Sequence, residues 1–292
     1  MRDTFGSYHP SLNFLYFLAV IGFGMFLMHP IFLSISLVGS LSYAIYLEGT
    51  KAIGKQLLYS IPLCILVGVI NPLFNHEGIT ILTYIGDNPL TLESIYYGIA
   101  MAVLFMNIIL WFKCYSYVMT SDKLIYLLGR KLPTLALIFS MTLRFVPLFK
   151  KQFKKVMRAQ EGIGNSSRKK NILARIKWAM KVLSIMVTWI LENAIDTADS
   201  MNSRGYGLKG RSSFSLYFFQ RRDAKLLIGL VLLVGSVLTG VLNGQTYMRY
   251  FPSVKLQPTT VQSIAVYIAY GVLCILPLGL QMVEDIKWHY LK

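Results

Sequence analysis

Acidic residues are scarce in this chain, with 13 Asp and Glu against 29 Lys and Arg and a formal net charge of +16. Charge of either sign is also low, since only 14% of the 292 residues are charged while 55% are hydrophobic. A soluble domain carries about 25% charged residues. A basic excess can attract nucleic acid, anionic lipid or an acidic protein. Because these basic residues lie beside long apolar runs, the composition favours a membrane protein and argues against a nucleic-acid partner.

Cysteine and histidine are too few and too scattered to indicate a metal site. Cys64, Cys114 and Cys274 lie in apolar stretches without CxxC spacing, which is typical of small buried side chains. No GxxxxGK[ST] phosphate loop occurs in the sequence, so the chain is not expected to hydrolyse ATP by itself. A GxGxxG match at residues 205–210 follows a helical pattern instead of a strand, which indicates a helix stop and loop. We therefore predict a non-enzyme without catalytic residues, cofactor or metal.

Six apolar runs are long enough to span a bilayer. They cover residues 11–28, 31–47, 56–74, 94–119, 226–242 and 261–283. His29-Pro30 separates the first two, because proline disfavours helix just before it. Lys113 lies near a span end, where its amine can reach the interface. The spans are otherwise almost free of charge.

The distribution of basic residues predicts the topology. The loop of residues 75–93 contains Glu77, Asp87 and Glu93 and neither Lys nor Arg, so it is placed outside. Lys51 and Lys55 fall inside, and both termini are predicted to be cytoplasmic. The loop of residues 243–260 is also placed outside, although Arg249 and Lys255 weaken that assignment.

A basic central segment cannot cross the membrane and is predicted to be cytoplasmic. Between residues 144 and 225 there are 18 basic residues and five acidic ones. The basic residues are Arg144, Lys150, Lys151, Lys154, Lys155, Arg158, Arg168, Lys169, Lys170, Arg175, Lys177, Lys181, Arg204, Lys209, Arg211, Arg221, Arg222 and Lys225. The chain is thus divided into transmembrane helices at 1–131, a cytoplasmic helical region at 132–223 and further transmembrane helices at 224–292.

Helical periodicity predicts two amphipathic helices in this region, Phe145 to Ile163 and Lys181 to Ser203. Pro147 would lie near the start of the first, where proline is tolerated, and Gly162 and Gly164 would end it. Gly205 would end the second. The apolar run of residues 132–141 is interpreted as an interfacial or re-entrant helix. The expected fold is an all-α polytopic membrane protein with about six spans and long amphipathic cytoplasmic helices.

Several short motifs, taken in order, resemble the transmembrane T component of energy-coupling factor (ECF) transporters, a family that includes CbiQ-type cobalt permease subunits. The motifs occupy residues 71–76 (NPLFNH), 120–123 (TSDK), 141–147 (MTLRFVP), 159–160 (AQ) and 203–207 (SRGYG). The resemblance implies a multi-pass subunit of the bacterial cell membrane that joins two cytoplasmic ATPases to a substrate-binding S component. It implies vitamin or transition-metal uptake, without naming the substrate.

In that family, short Ala-Arg-Gly-like motifs at the ends of two coupling helices dock onto the ATPases. The resemblance therefore assigns ATPase docking to Ser203, Arg204 and Gly205 at the second helix. The first motif is assigned to Arg158, Ala159, Gln160 and Gly162. It departs from the family pattern, because Glu161-Gly162 stands where Arg-Gly is expected and Arg158 is the candidate substitute.

Two other functions stay open on the sequence. A standalone channel or secondary transporter would need polar residues at mid-membrane or paired broken helices, and His29-Pro30 is the only clear break. A membrane-anchored adaptor without a transport role is the third possibility. ATPase genes beside this one would favour the ECF assignment over both.

Overall fold

A computed structural model describes residues 4–85, 88–163, 172–208, 217–256 and 258–290. Most of these residues are helical, and the predicted all-α polytopic fold is confirmed. A short 3₁₀ turn at Phe5–Ser7, here called the amino-terminal turn, comes first. The helices are α1 Pro10–Phe26, α2 Pro30–Glu48, α3 Thr50–Phe74, α4 Leu92–Val118, α5 Ser121–Lys131, α6 Pro133–Gly162, α7 Ile172–Ser203, α8 Arg221–Leu242 and α9 Val261–Tyr290.

Two small antiparallel hairpins lie in the loops between helices. The first pairs β1 (Ile81–Ile85) with β2 (Asn88–Thr91), and the second pairs β3 (Met248–Arg249) with β4 (Lys255–Leu256). The backbone N–H of Ile79 donates to the Pro252 carbonyl at 3.2 Å and so joins the two loops. Both hairpins occupy loops that the charge distribution assigns to the outside.

The chain divides into two compact units. The bundle unit comprises Met1–Leu124 and Tyr217–Lys292, and the central unit comprises Ile125–Leu216. The boundaries drawn from sequence, at 132 and 223, lie seven residues further along the chain at each end. Location of the central segment in the cytoplasm stays a prediction.

Seven of the described helices are long and apolar enough to cross a membrane, namely α2, α3, α4, α6, α7, α8 and α9. Five of them match predicted spans, while α1 is apolar but has only 17 residues. The two additional helices, α6 and α7, have the least apolar windows of the seven. They also hold many of the basic residues of the central segment. Length and composition alone therefore do not place α6 and α7 within the bilayer.

Each of the first two helices begins at a proline that follows a histidine. The ring Nδ1 of His9 accepts a hydrogen bond from the Ser11 N–H, and Nδ1 of His29 accepts one from the Ile31 N–H, both at 3.3 Å. Proline suits the first helical position because its missing N–H would have no intrahelical partner there. The predicted break at His29-Pro30 is confirmed.

Polar side chains join α4 to α2 inside the bundle unit. The indole Nε1 of Trp111 donates to Ser36 Oγ at 2.9 Å, and Asn107 Nδ2 donates to the Leu33 carbonyl at 3.0 Å. Buried polar groups need such partners, most of all where no water is available. Lys113, expected to reach the interface, forms an ion pair with Glu48 at 3.1 Å.

The predicted start of the first amphipathic helix, near Phe145, is wrong. Helix α6 begins at Pro133, so residues 133–141 of the apolar run belong to the same continuous helix. Pro147 consequently lies inside the helix, where it offers no N–H to the carbonyl of Leu143. A further helix, α5, lies between α4 and α6. The second predicted helix is longer than expected, since α7 already begins at Ile172.

Candidate functional site

The carboxyl end of α7 is closed by a two-hydrogen-bond glycine cap. The Tyr206 N–H donates to the Met201 carbonyl and the Gly205 N–H donates to the Asn202 carbonyl, both at 3.0 Å. These are the two bonds of a Schellman motif, which satisfies carbonyls left free at a helix end. Ser203 Oγ adds a bond to the Asp199 carbonyl at 2.8 Å. The second predicted stop, at Gly205, is confirmed.

Gly205 is needed at this position because its backbone is left-handed, with φ +79°. A side chain there would be strained by about 1–2 kcal/mol, and its Cβ would lie 3.0 Å from Leu208 Cδ1. The next glycine, Gly207, also has positive φ, at +96°. The chain thus turns away sharply just after Arg204.

Arg204 occupies the residue between the last helical position and the left-handed glycine. It is exposed, as are its neighbours Asn202 and Ser203. Its guanidinium has no carboxylate within ion-pair distance in the described ranges. Arginine carries a fixed charge and five donors, so an exposed guanidinium at a helix end can bind a carboxylate with two hydrogen bonds.

The carboxyl end of α6 has a different geometry. Arg158 and Ala159 are exposed, whereas the side chain of Gln160 is 8% exposed and lies on the buried face of the helix. Gly162 is still helical and a Cβ there would meet nothing within 4 Å, so this glycine is not a left-handed stop. Gly164, the other expected stop, lies outside the described residues.

Helices α6 and α7 pack against each other with opposed chain directions. Val156 of α6 shares a buried cluster with Val182 and Met186 of α7. Seven residues earlier on α6, the Phe149 ring meets the Trp189 ring edge-on at 5.8 Å. Rising numbers on α6 therefore match falling numbers on α7, which is the signature of antiparallel packing.

This arrangement keeps the two groups of candidate docking residues apart. Arg158 lies within one turn of Val156, close to where the helices meet. Arg204 lies 18 residues beyond Met186, which is about 27 Å along an α-helix at 1.5 Å per residue. The structure does not bring the two groups together into one pocket. It places them at two separate points on the two packed helices.

Helix α7 is apolar on two sides, and only one of them packs against α6. The buried side contains Val182 and Met186. The opposite side exposes a stripe of large apolar side chains at helical spacing, namely Ile176, Met180, Leu183, Val187 and Leu191. An open apolar stripe of this length is the kind of surface that meets lipid or an apolar partner.

Two other motifs of the resemblance lie in the bundle unit. In the first, Asn71 is within α3, and His76 Nδ1 lies 3.2 Å from the Pro89 carbonyl in the following loop. In the second, Lys123 is buried and donates to two backbone carbonyls. This burial could not be predicted from the sequence, because a lysine that follows a span is usually solvated. Among the described residues, no three His, Cys, Asp or Glu side chains come together as metal ligands.

Comparison with known proteins decides the family. The sequence matches the CbiQ family, described as cobalt transport protein, over residues 5–215. This chain belongs to the CbiQ family. The match includes the amino-terminal turn, α1 to α7 and both groups of candidate docking residues.

Individual relatives of this CbiQ-family chain are named energy-coupling factor transporter transmembrane protein EcfT. The protein from Lactobacillus helveticus is 34% identical over 105 residues, which is 36% of this chain and 38% of that protein. The protein from Listeria innocua is 35% identical over 102 residues, again 38% of its length. The protein from Leuconostoc gelidum is 26% identical over 205 residues, 65% of this chain and 74% of that protein. The matches to the first two thus span less than two fifths of each relative.

The apolar helices and the family together identify a multi-pass protein of the bacterial cell membrane. The relatives are named as transmembrane components of transporters and not as enzymes. A transport-related membrane role is therefore established at the level of the family.

Proposed function

We propose that this chain is the transmembrane coupling (T) component of an ECF-type importer for a vitamin or a transition metal. In this proposal two cytoplasmic ATPases dock on the central unit, and an S component supplies substrate recognition. The observation that supports it best is the exposed Arg204 at a rigid glycine-capped end of α7, far from the second candidate end at Arg158. Two separate attachment points suit two ATPases.

Docking at α7 would use Ser203, Arg204 and Gly205 in distinct roles. Gly205 turns the chain aside, Ser203 reinforces the last turn, and Arg204 presents its guanidinium to an acidic groove. At α6, Arg158 and Ala159 are the exposed members, while Gln160 faces the helix pair. Contact at that end would therefore run through Arg158, with Gly162 leaving space beside it.

ATP binding would then move the ATPases, and the docked helix ends would move with them. Because α6 and α7 share a packed crossing, displacement of one end tilts the other helix as well. The exposed apolar stripe of α7 is the surface through which that tilt would reach the S component.

The decisive test is charge reversal at Arg204. A helix-end arginine that acts only as a cap contributes about 0.3–1 kcal/mol, whereas truncating a buried charged pair at an interface costs about 2–5 kcal/mol. We expect Arg204→Glu to leave membrane insertion intact and to abolish co-purification of co-expressed ATPases. Pull-down yield and ATP-dependent uptake are the measurements.

Lys150→Glu is the matched control, because Lys150 is an exposed basic residue in the middle of α6, eight residues before Arg158. It should retain wild-type ATPase yield. If Arg204→Glu retains the wild-type yield of co-purified ATPases and wild-type uptake, Arg204 is only a helix cap and the docking assignment is wrong. Uptake by the chain alone, without ATPases, would instead favour a standalone transporter.

A further inference from the structure

The amino-terminal turn is fixed to the bundle unit by its first residue. The Phe5 side chain is fully buried. Its ring packs edge-on against Tyr16 at 5.1 Å and Phe17 at 6.2 Å. Both partners lie on α1 and also contact Trp111 of α4. The turn is thus anchored in the aromatic core, while its last carbonyls remain available as acceptors.

Lys123 binds one of those carbonyls. Its Nζ donates to the Gly6 carbonyl at 2.7 Å and to the Val118 carbonyl, the last of α4, at 2.6 Å. Carbonyls at the end of a helix or turn lack intrahelical donors and attract positive charge. The residue is only 8% exposed. One buried ammonium therefore joins the end of α4 to the amino-terminal turn.

Arg222 binds the neighbouring carbonyl. Its Nη2 donates to the Ser7 carbonyl at 3.2 Å, and its guanidinium lies 5.0 Å from the centre of the Tyr8 ring. Such a position over an aromatic face is favourable for a cation. Three residues earlier, the Phe219 ring packs edge-on against His9 at 5.4 Å. The start of α8 is therefore attached to the same turn.

These two side chains stand where the chain leaves and re-enters the bundle unit. Lys123 is one residue before the exit after Leu124, and Arg222 is five residues after the return at Tyr217. Because the two side chains bind adjacent carbonyls of one turn, the exit and the return of the chain lie close together within the bundle unit. The adjacent carbonyls thus receive one cation from each of the two segments that flank the central unit.

We propose that Lys123 and Arg222 are positioning residues that hold the two segments flanking the central unit on the amino-terminal turn. When both flanking segments are held at one turn, they cannot move independently of each other. The motion of the central unit is then restricted to a rotation about this turn, here called the pivot. The benefit of this for transport rests on the proposed function, because only docked ATPases would drive the pivot. The anchoring itself does not depend on it.

The test uses the full chain alone in lipid nanodiscs, with spin labels and pulsed electron paramagnetic resonance. One label pair, Lys51→Cys in the bundle unit and Asp196→Cys on α7, reports the distance between the two units. A second pair, Lys51→Cys and Lys287→Cys, reports a distance within the bundle unit. All three positions are exposed. Cys64→Ser removes the partly exposed cysteine, and Cys114 and Cys274 are buried.

We expect Lys123→Met to broaden the distance distribution between the units by roughly two-fold, as local attachment is lost. Arg222→Gln should broaden it less, because this residue is exposed and its contacts are weakened by water, and the double variant should broaden it most. Arg221→Gln and Lys225→Met, exposed neighbours on α8, are matched controls that should leave it unchanged. The distance distribution of the label pair within the bundle unit should keep its width in all variants.

If the distance distribution between the units keeps its wild-type width in Arg222→Gln and in the double variant, the proposed anchoring role is wrong. Equal broadening of the bundle pair in Arg222→Gln would also overturn it, since that result indicates a general loss of structure. If Lys123→Met fails to fold, Arg222→Gln decides alone. A chain that shows the expected broadening but binds no ATPase would refute the proposed function and leave the anchor standing.

Discussion

A single left-handed glycine determines how Arg204 is presented. Gly205 has φ +79°, and its N–H and that of Tyr206 close the last turn of α7. Gly162 near the end of α6 is helical, so it has no such role. The same residue type therefore has opposite conformational requirements at the two helix ends.

Alanine substitution at the two glycines should separate these roles. Gly205→Ala forces a side chain into a left-handed backbone, at a cost of about 1–2 kcal/mol. That corresponds to roughly 5- to 30-fold faster amide exchange. We expect this increase in hydrogen–deuterium exchange over residues 201–208. Gly162→Ala should leave exchange at the end of α6 unchanged or slower, because alanine favours a helix by about 1 kcal/mol. Equal exchange in the two variants would contradict the capping role.

At the scale of elements, close contact between helices depends on small residues. A Cβ on Gly98 of α4 would lie 2.5 Å from the Gly68 carbonyl of α3. Within a membrane, such positions let backbones approach and gain packing that the hydrophobic effect does not supply. The α3–α4 pair lies beside the residues 71–76 that the resemblance singled out.

Gly98→Ala should therefore destabilise the bundle unit, because the carbonyl of Gly68 cannot move away without shifting α3. Overpacking of this kind costs about 1–3 kcal/mol. We expect a lower thermal unfolding midpoint in detergent, followed by intrinsic tryptophan fluorescence. Gly22→Ala on α1 is the control, since a Cβ there meets nothing within 4 Å. If Gly98→Ala has the same thermal unfolding midpoint as the wild type, the close approach of α3 and α4 at this glycine does not contribute to stability.

At the scale of the molecule, the membrane topology is predicted from the distribution of charge. Charge distribution places the loop of residues 75–93 outside and the central unit inside. Asp87 and Lys169 are natural probe positions for these two regions, but both lie outside the described residues. Glu77 and Asp196 represent the same regions and are exposed in the structure.

Cysteine labelling of intact cells with a membrane-impermeant maleimide should modify Glu77→Cys and spare Asp196→Cys, both in a Cys64→Ser background. Permeabilised cells serve as the control in which both positions react. If intact cells show labelling at Asp196→Cys but not at Glu77→Cys, the topology is the opposite of the predicted one. It would also remove the cytoplasmic location on which ATPase docking depends.

The sequence by itself determined the features that depend on local or averaged properties. Apolar run length predicted a polytopic membrane protein, and the spacing of apolar residues with Gly205 predicted where α7 ends. His29-Pro30 predicted the break between α1 and α2. Each follows from the chemistry of residues adjacent in the chain, so no knowledge of distant contacts was needed.

Only the tertiary structure decided the features that join distant residues. Pro147 was predicted to lie near a helix start, but it lies inside α6. A local preference of proline does not by itself determine a helix boundary. The burial of Gln160, the antiparallel meeting of Phe149 with Trp189, and the shared turn that receives Lys123 and Arg222 depend on contacts across tens to hundreds of residues. Periodicity gives a helix its apolar face. It does not specify which partner covers that face, because many partners satisfy the same hydrophobic pattern.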